Sequence, residues 1–500
     1  MTESAAAGNR DRRGFTRWLN RNVPGVGFIL LGKTAFGVML LLYFLAFPLL
    51  LILEFGEFSG ALESMALSAF LLVANFDHNS LFMRGDVIEH WIAALFAIGM
   101  PLLLWWLNRR RLQQIMLDGN EHELSQWALA WREFKKNRIA SAAMAIIILL
   151  YTVAFLCPFL APFHPNAFQD GLVTKFKPPL SSVTVLHLRN ERFRSLGIES
   201  LRLDTEYPSV VRNLVEINKR LTNENLERQW AVNAFRVEEA EVKATVKDSL
   251  VSIPISMLAG ADPEDFASTR HYILGTDGYG RDILSRILYG SRVSLSLGFI
   301  AVLLSVSLGT MIGLLAGYFG RYADSVLMRF VDVLLAFPAL FLILIIIAAF
   351  ETIAVPRVVL IVLVLGLTSW MGVSRLVRGE VLSVKEREFV LAARTLGLGH
   401  WRILTRHILP NILTPIIVNA TLRIGGIILV EAALSYLNIG VQQPTASWGN
   451  IIFEGKDSLS HAWWISTLPG FAIVIVVVCF NLVGDALRDA FDPMLNYERV

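Results

Sequence analysis

Gly27-FILL-Gly32-Lys33-Thr34 matches the spacing of a phosphate-binding loop letter for letter. In such a loop, backbone N–H groups cradle phosphates and the lysine reaches the terminal ones. The loop also needs a buried strand before it and a free helix after it. Here RWLNRNVP precedes, a long apolar run follows, and the variable positions are large and apolar. Lys33 is therefore expected to anchor the chain at a membrane interface and not to hold a nucleotide. No HExxH pair and no GxSxG elbow occurs, which argues against a peptidase. Cys157 and Cys479 stand far apart in apolar runs and give neither a metal spacing nor a disulfide framework.

Four ionisable residues lie within apolar runs: Asp332, Arg423, Glu431 and Asp485. Charges placed there are costly and usually face protein or water. Arg423 and Glu431 are eight residues apart, hence near one helical face and about 12 Å apart along the axis. They either line a pathway, pair between helices or sit at the interface. Asp332 and Asp485 fall near the cytosolic ends of their runs, where a structural role is expected.

A polar, basic stretch at 383–410, SVKEREFVLAARTLGLGHWRILTRHILP, separates two long apolar runs. Ser383 with Glu386 reads as a capping box that starts a helix. Phe389, Ala393 and Leu396 make one apolar stripe at helical spacing. Gly397 suits the left-handed end of that helix, and Gly399 follows. A second short helix carries Trp401, Leu404 and Ile408, and Pro410 opens the next apolar run. Such a helix, glycine turn and helix can dock in a groove of a partner protein, or serve as an ordinary basic loop or another helix-turn-helix.

The elements that position these groups are membrane spans. Of 500 residues, 54% are hydrophobic and only 17% charged, and the mean hydropathy is +0.54. The net charge of +3 says less than where the basic residues lie. Apolar runs of spanning length occur at about 35–53, 91–107, 139–160, 293–319, 330–350, 358–377, 412–437 and 468–487. Arginines before the first run and after the second place both flanks in the cytoplasm. Residues 61–76 read as an interfacial helix outside, and 109–138 as an amphipathic cytosolic linker. From 164 to 270 the chain is charged and has no spanning run, which predicts a small extracytoplasmic domain. Within it, 205–248 reads mostly as helix, with Pro208 in a first turn and Val210, Leu214, Ile217 and Leu221 at a four-three-four spacing. Alternation of the later spans puts 383–410 and the C-terminus inside.

AARTLGLGHWRILTRHILP resembles the EAA loop of ABC-importer permeases, whose pattern is Glu-Ala-Ala, three residues, Gly, nine residues, Ile, one residue, Leu-Pro. Ala392, Ala393, Gly397, Leu409 and Pro410 match. The family's Glu is Leu391 here and its Ile is His407, departures similar to those of the peptide-permease branch, and Glu388 is the candidate to replace the missing Glu. LGTDGYGRDILSRILYGSRVSLSLG (274–298), LMRFVDVLLAFPALFL (327–342), EAALSYLNIGVQQPTASWGN (431–450) and FNLVGDALRDAFDP (480–493) extend the resemblance in family order. Asp277, Arg281 and Asp282 in the first of these either touch an arriving substrate-loaded protein or act as capping and surface groups.

The resemblance implies an all-α polytopic membrane protein: a six-helix permease core with two added N-terminal transmembrane helices and a small extracytoplasmic domain. The expected parts are a tail, two spans and linker (1–130), a first core span (131–163), the extracytoplasmic insertion (164–270), the remaining core (271–493) and a cytosolic tail (494–500). It implies a transport subunit and not an enzyme, in a bacterial cytoplasmic membrane, with both termini cytoplasmic. The expected partners are a second permease subunit, two cytosolic ATPases that bind ATP and magnesium, and an extracytoplasmic binding protein that brings short peptides. No cofactor on this chain and no nucleic acid is implied. A channel or sensor using the 164–270 domain is the competing reading, and a membrane enzyme is a second. Both leave the 383–410 stretch unexplained, and co-purification with an ATPase separates them from a permease.

Overall fold

The computed structural model describes residues 23–24, 34–56, parts of 58–65, 85–117, 126–166, 171–188, 228–238, 241–247, 249–258, 260, 262–350 and 356–491. Lys33 and the rest of 25–33 lie outside these residues, as do most of 61–76 and all of 189–227. Two compact units divide the chain, Met1–Leu129 with Phe155–Leu160, and Ala130–Ala154 with Ala161–Val500.

In the first unit, α1 (Thr34–Leu53) and α2 (Gly85–Leu117) carry the two N-terminal apolar runs. Phe47 of α1 is buried in one cluster with Ala93, Ala94 and Ala97 of α2. Alanines on α2 let the two backbones approach, as small residues do in lipid-embedded helix pairs. Phe96 stacks on Phe155 at 4.9 Å between ring centroids.

The second unit starts within α3 (Gln126–Lys136), at Ala130, and there Trp131 stacks on Phe134 at 5.3 Å. Asn137 then caps α4 (Arg138–Phe155), its side-chain oxygen accepting from the N–H groups of Ile139 and Ala140 at 3.1 Å. A β module follows. Strands β1 (Ser181–Leu188), β2 (Arg228–Val232), β3 (Ala234–Glu238), β4 (Glu241–Val246), β5 (Ser249–Pro254) and β6 (Ala267–Tyr272) form two antiparallel three-stranded sheets, ordered β2-β1-β6 and β3-β4-β5. Val183, Leu186 and Ala231 from the first sheet share a core with Val242, Ala244 and Ile253 from the second.

Within the stretch expected as helix, the described segments Arg228–Val232, Ala234–Glu238 and Glu241–Val246 are therefore strand. Along Glu241–Val246, alternate residues Val242, Ala244 and Val246 are buried, which is the period of two that a half-buried strand requires. The helical spacing seen at Val210, Leu214, Ile217 and Leu221 lies outside the described residues and does not extend into this segment.

The membrane-embedded part begins at α5 (Ile283–Phe319), 37 residues and so about 55 Å long. It is followed by α6 (Arg321–Ala336), α7 (Ala339–Phe350), α8 (Arg357–Val384), α9 (Glu388–Thr395), α10 (Leu409–Tyr436), α11 (Trp448–Gly455) and α12 (Trp464–Phe491). α5 and α8 are held closest. Gly309, Gly313 and Gly317 form a stripe on α5, and a Cβ at Gly313 would lie 2.6 Å from the Ser374 carbonyl oxygen. Close backbone approach here is possible only because those positions lack side chains.

Five helical stretches among the described residues are long and apolar enough to cross a membrane: α4, α5, α8, His400–Tyr436 and α12. The run expected as one span at 330–350 is instead broken, with α6 and α7 meeting at 92°. Pro338 explains the break. It pushes Phe337 into an extended conformation (φ −80°, ψ 136°) and cannot continue the helical hydrogen bonding. With the bent pair counted as one span there are six, besides the shorter apolar helices Leu40–Leu53 and Ile92–Asn108.

Candidate functional site

α8 runs through Ser383 and ends at Val384, and the next helix starts only at Glu388. The capping box expected of Ser383 and Glu386 is thus absent: Ser383 sits in the last turn of α8, and Arg387 caps α9 without a side-chain bond. The apolar face of α8 outlasts the first polar residues, so the helix continues past them. Lys385 closes this end, its ammonium donating to the Gly317 carbonyl at the foot of α5 at 3.1 Å.

Gly397 terminates α9 as the spacing predicts. Its φ is +74°. Its N–H donates to the Arg394 carbonyl at 3.0 Å, and the Leu398 N–H donates to the Ala393 carbonyl at 3.2 Å. Those two bonds are the Schellman closure, which places a left-handed residue between them. A short helix, His400–Ile403, and a π turn, Leu404–Ile408, then lead into α10 without a break. In the π turn, Leu409 donates to Leu404, one residue further back than in an α-helix. That accommodates Pro410, which has no N–H to give.

The inward face of this loop is a single apolar cluster. Val390, Ala393, Ile403, Leu404, Ile408 and Ile412 pack with Val373, Val377 and Val381 of α8 and Tyr318 of α5. The Tyr318 hydroxyl bonds His400 Nδ1 at 2.9 Å, and the Arg394 guanidinium lies over the Tyr318 ring at 5.1 Å. The outward face carries Phe389, Leu391, Leu396 and Trp401, of which Leu396 is 80% and Trp401 69% exposed. The two stripes read from sequence are therefore split. Ala393 points in while Phe389 and Leu396 point out, and Leu404 and Ile408 point in while Trp401 points out. Glu388 and Ala392 are exposed on α9, Ala393 is buried, Leu409 and His407 are half-buried and Pro410 is exposed.

At the other end of α5 the polar residues are closed upon themselves. Asp277 and Arg281 are each 1% exposed, and Asp282 is buried too, so none of the three is presented to an arriving protein. Arg281 Nε and Arg286 Nη1 both donate to Asp277 Oδ2 at 2.6 Å. Both arginines also donate to Glu454 of α11, with Arg286 Nη2 at 2.9 Å from Oε1. Asp282 caps α5, accepting from the Ser285 N–H and hydroxyl at 2.7 Å each. Burial pushes the Asp282 carboxyl up, against those bonds from Ser285. No local pattern announces Glu454 or Arg286, because the pairing joins residues 168 apart.

The charges within the spans separate as well. Glu431 is 0% exposed and accepts from the Ser435 hydroxyl at 2.8 Å and the Ser294 hydroxyl at 3.2 Å. Those hydroxyls in turn accept the N–H groups of Val441 and Trp448. Glu431 is an interhelical acceptor tying α5 and α10 to the segment before α11. Arg423 does not pair with it. Its guanidinium donates to Asn419 Oδ1 at 2.7 Å and to the Ser369 carbonyl at 3.1 Å. Asp332 pairs with Arg375, both half-exposed, and Asp324 with Arg378 at 2.6 Å. Asp485 is exposed on α12.

Residues 309–497 match the family described as "Binding-protein-dependent transport system inner membrane component", and residues 125–179 match "N-terminal TM domain of oligopeptide transport permease C". A dipeptide transport system permease protein of Alkalihalophilus pseudofirmus is 43% identical over 228 residues, 46% of this chain and 73% of the relative. An oligopeptide transport system permease protein of Haemophilus influenzae is 38% identical over 223 residues, 45% of this chain and 70% of the relative. A solved chain of the MetNI methionine ABC transporter, in an inward-facing conformation, is 16% identical with a TM-score of 0.36, covering 42% of this chain and 97% of that chain.

Proposed function

The chain belongs to the family of binding-protein-dependent transport system inner-membrane components, as a permease subunit, and on that premise we propose that it forms half of the pathway of an ATP-driven importer of short peptides. A second permease subunit completes the pathway. Two cytosolic ATPases bind ATP and magnesium below it, and an extracytoplasmic protein delivers the peptide. Residues 383–410 are the coupling site, with Glu388, Ala392, Ala393, Gly397, Leu409 and Pro410 setting its shape.

One observation carries this reading: the loop turns Leu396 and Trp401 outward while Val390, Ala393 and Leu404 anchor it to α5 and α8. Apolar side chains held out on a well-anchored, basic turn suit a groove in another protein. Because the anchor is continuous with two spans, a displacement of the loop is carried into them as a rigid shift of α5 and α8. ATP acts by binding the two conformations of the assembly unequally. In this orientation the N-terminus, 383–410 and the C-terminus face the cytoplasm of a bacterial inner membrane, and the β module faces outward.

Two measurements test the proposal. The tagged chain, purified in mild detergent from its native membrane, should bring down a second permease and an ATPase in stoichiometric amounts. Purification alone, with peptide uptake intact, would remove the ATPase from the account. A cysteine at Ser383 should resist membrane-impermeant label in intact cells, and labelling there would invert the topology.

A further inference from the structure

Arg423 sits near the middle of the 28-residue α10 and, among the described residues, has no carboxylate partner. A guanidinium within a span is not left uncompensated without cost, and such residues usually face protein or a water-filled cavity. Arg423 is half-buried, and among the described residues its Nη2 has no hydrogen-bond partner. A Cβ at Gly372 of α8 would stand 2.6 Å from Arg423 Nη2, so the guanidinium packs directly on the bare α8 backbone there. Asn419, Arg423 and Gly426 follow at i, i+4 and i+7 on one face of α10. A Cβ at Gly426 would meet nothing within 4 Å, and the same holds for Gly379 on α8. Arg375, half-exposed and paired with half-exposed Asp332, lies on α8 between Gly372 and Gly379. A face with two arginines, one aspartate and bare backbone cannot front hydrocarbon. It fronts water or protein.

We propose that Arg423 is a substrate-binding residue, and that its ligand is the terminal carboxylate of a peptide in transit. This rests on the reading of the chain as a peptide permease. Nε and one proton of Nη1 are already bound to Asn419 and Ser369, which fix the plane of the guanidinium. The Nη2 edge beside Gly372 remains for an anion, and a planar carboxylate matches it. The terminal carboxylate is the one anionic group that every unmodified linear peptide carries whatever its side chains. A site for it therefore handles peptides of differing sequence. Glycines at 379 and 426, where a Cβ would meet nothing within 4 Å, leave room for a peptide backbone.

The test uses the whole complex reconstituted with its binding protein, with tri-alanine and tri-alanine amide as the transported probes. Arg423→Gln should lower tri-alanine uptake roughly tenfold or more, the usual consequence of losing a hydrogen bond to a charged group. Uptake of the amide should fall far less, so that the ratio of acid to amide drops at least about fivefold. Arg423→Lys, which keeps the charge, should recover part of the acid's uptake. Equal losses for acid and amide would overturn the inference, as would failure of both variants to pair with the partner permease. The latter would make Arg423 half of an ion pair between subunits. If the wild-type complex moves neither probe, the peptide reading itself fails; if it moves tri-alanine and Arg423→Gln leaves that uptake unchanged, only the inference fails.

Discussion

The two ends of α5 use similar residues to opposite effect. At its start, Asp277, Arg281, Arg286 and Glu454 balance one another inside the protein, with every carboxylate answered by a guanidinium. At its foot, the loop after α8 buries valines and isoleucines and sends arginines, Leu396 and Trp401 outward. A closed network fixes the position of α11 against α5 and has nothing to offer a partner. An open set of apolar and cationic groups, held by a buried anchor, has no internal purpose for its outer half. Charge alone marks neither region as functional. What separates them is whether the polar and apolar groups find their partners within the chain.

The largest effect that would sharpen this contrast is expected at the closed end. Arg286→Met leaves two buried carboxylates facing Arg281 alone, a loss of about 3–5 kcal/mol. It should appear as a large fall in the thermal midpoint of the purified complex, and an unchanged midpoint would mean that the network is slack. Next is the strut between the ends. Gly313→Val drives a side chain into the Ser374 carbonyl, which is backbone and cannot rotate away. The cost should be about 3 kcal/mol, at the upper end of ordinary overpacking. Protease resistance of the α5–α8 pair reads it, and wild-type resistance would contradict the close approach. At the open end the effect should move from folding to association. Leu396→Ala with Trp401→Ala should change subunit stability by no more than about 0.5 kcal/mol. It should weaken ATPase retention by about 2 kcal/mol, roughly thirtyfold. Equal retention, measured by titrating the ATPase onto immobilised permease, would make the outward face idle.

The smallest effect concerns pH at the closed end. Burial raises the Asp282 carboxyl, so the folded state holds a proton more readily than the unfolded chain. The associated stability is present in acid and is lost as pH rises through the folded value. Asp282→Asn keeps a good helix cap and removes that slope. Thermal midpoints of the wild type should therefore decline relative to the variant as pH rises through the acid range. Parallel curves would contradict the assignment.

Legibility from sequence followed the range of each signal. The spans are visible because some twenty apolar residues in a row have few other uses. Gly397 is visible because a left-handed helix end has a residue type of its own, and the hydrogen bonds of Ala393 and Arg394 close as expected. The direction of the side chains was less visible: residue type grouped Phe389, Ala393 and Leu396, whereas tertiary contact divides them. Pro338 carried the information for the 92° break, but the apolar run around it reads as continuous. Strands β2 to β5 follow a helical spacing at 210–221 that carries no local signal of where it stops. Glu454 left no trace at all, because a partner across 168 residues has no local signature.

Gly397→Val tests the coupling role most directly. A Cβ there would meet nothing within 4 Å, so the change acts on the backbone alone, at a φ of +74° that a β-branched residue resists. The strain, about 1–3 kcal/mol, is too small to unfold a membrane-embedded subunit and large enough to tilt a docked turn. ATPase retention and peptide uptake are to be measured in one reconstituted preparation of the variant complex. The account predicts a subunit that still pairs with its partner permease but loses ATPase docking or peptide-stimulated hydrolysis, and uptake with it. Full uptake by a correctly assembled Gly397→Val complex would contradict it and reduce residues 383–410 to a connector.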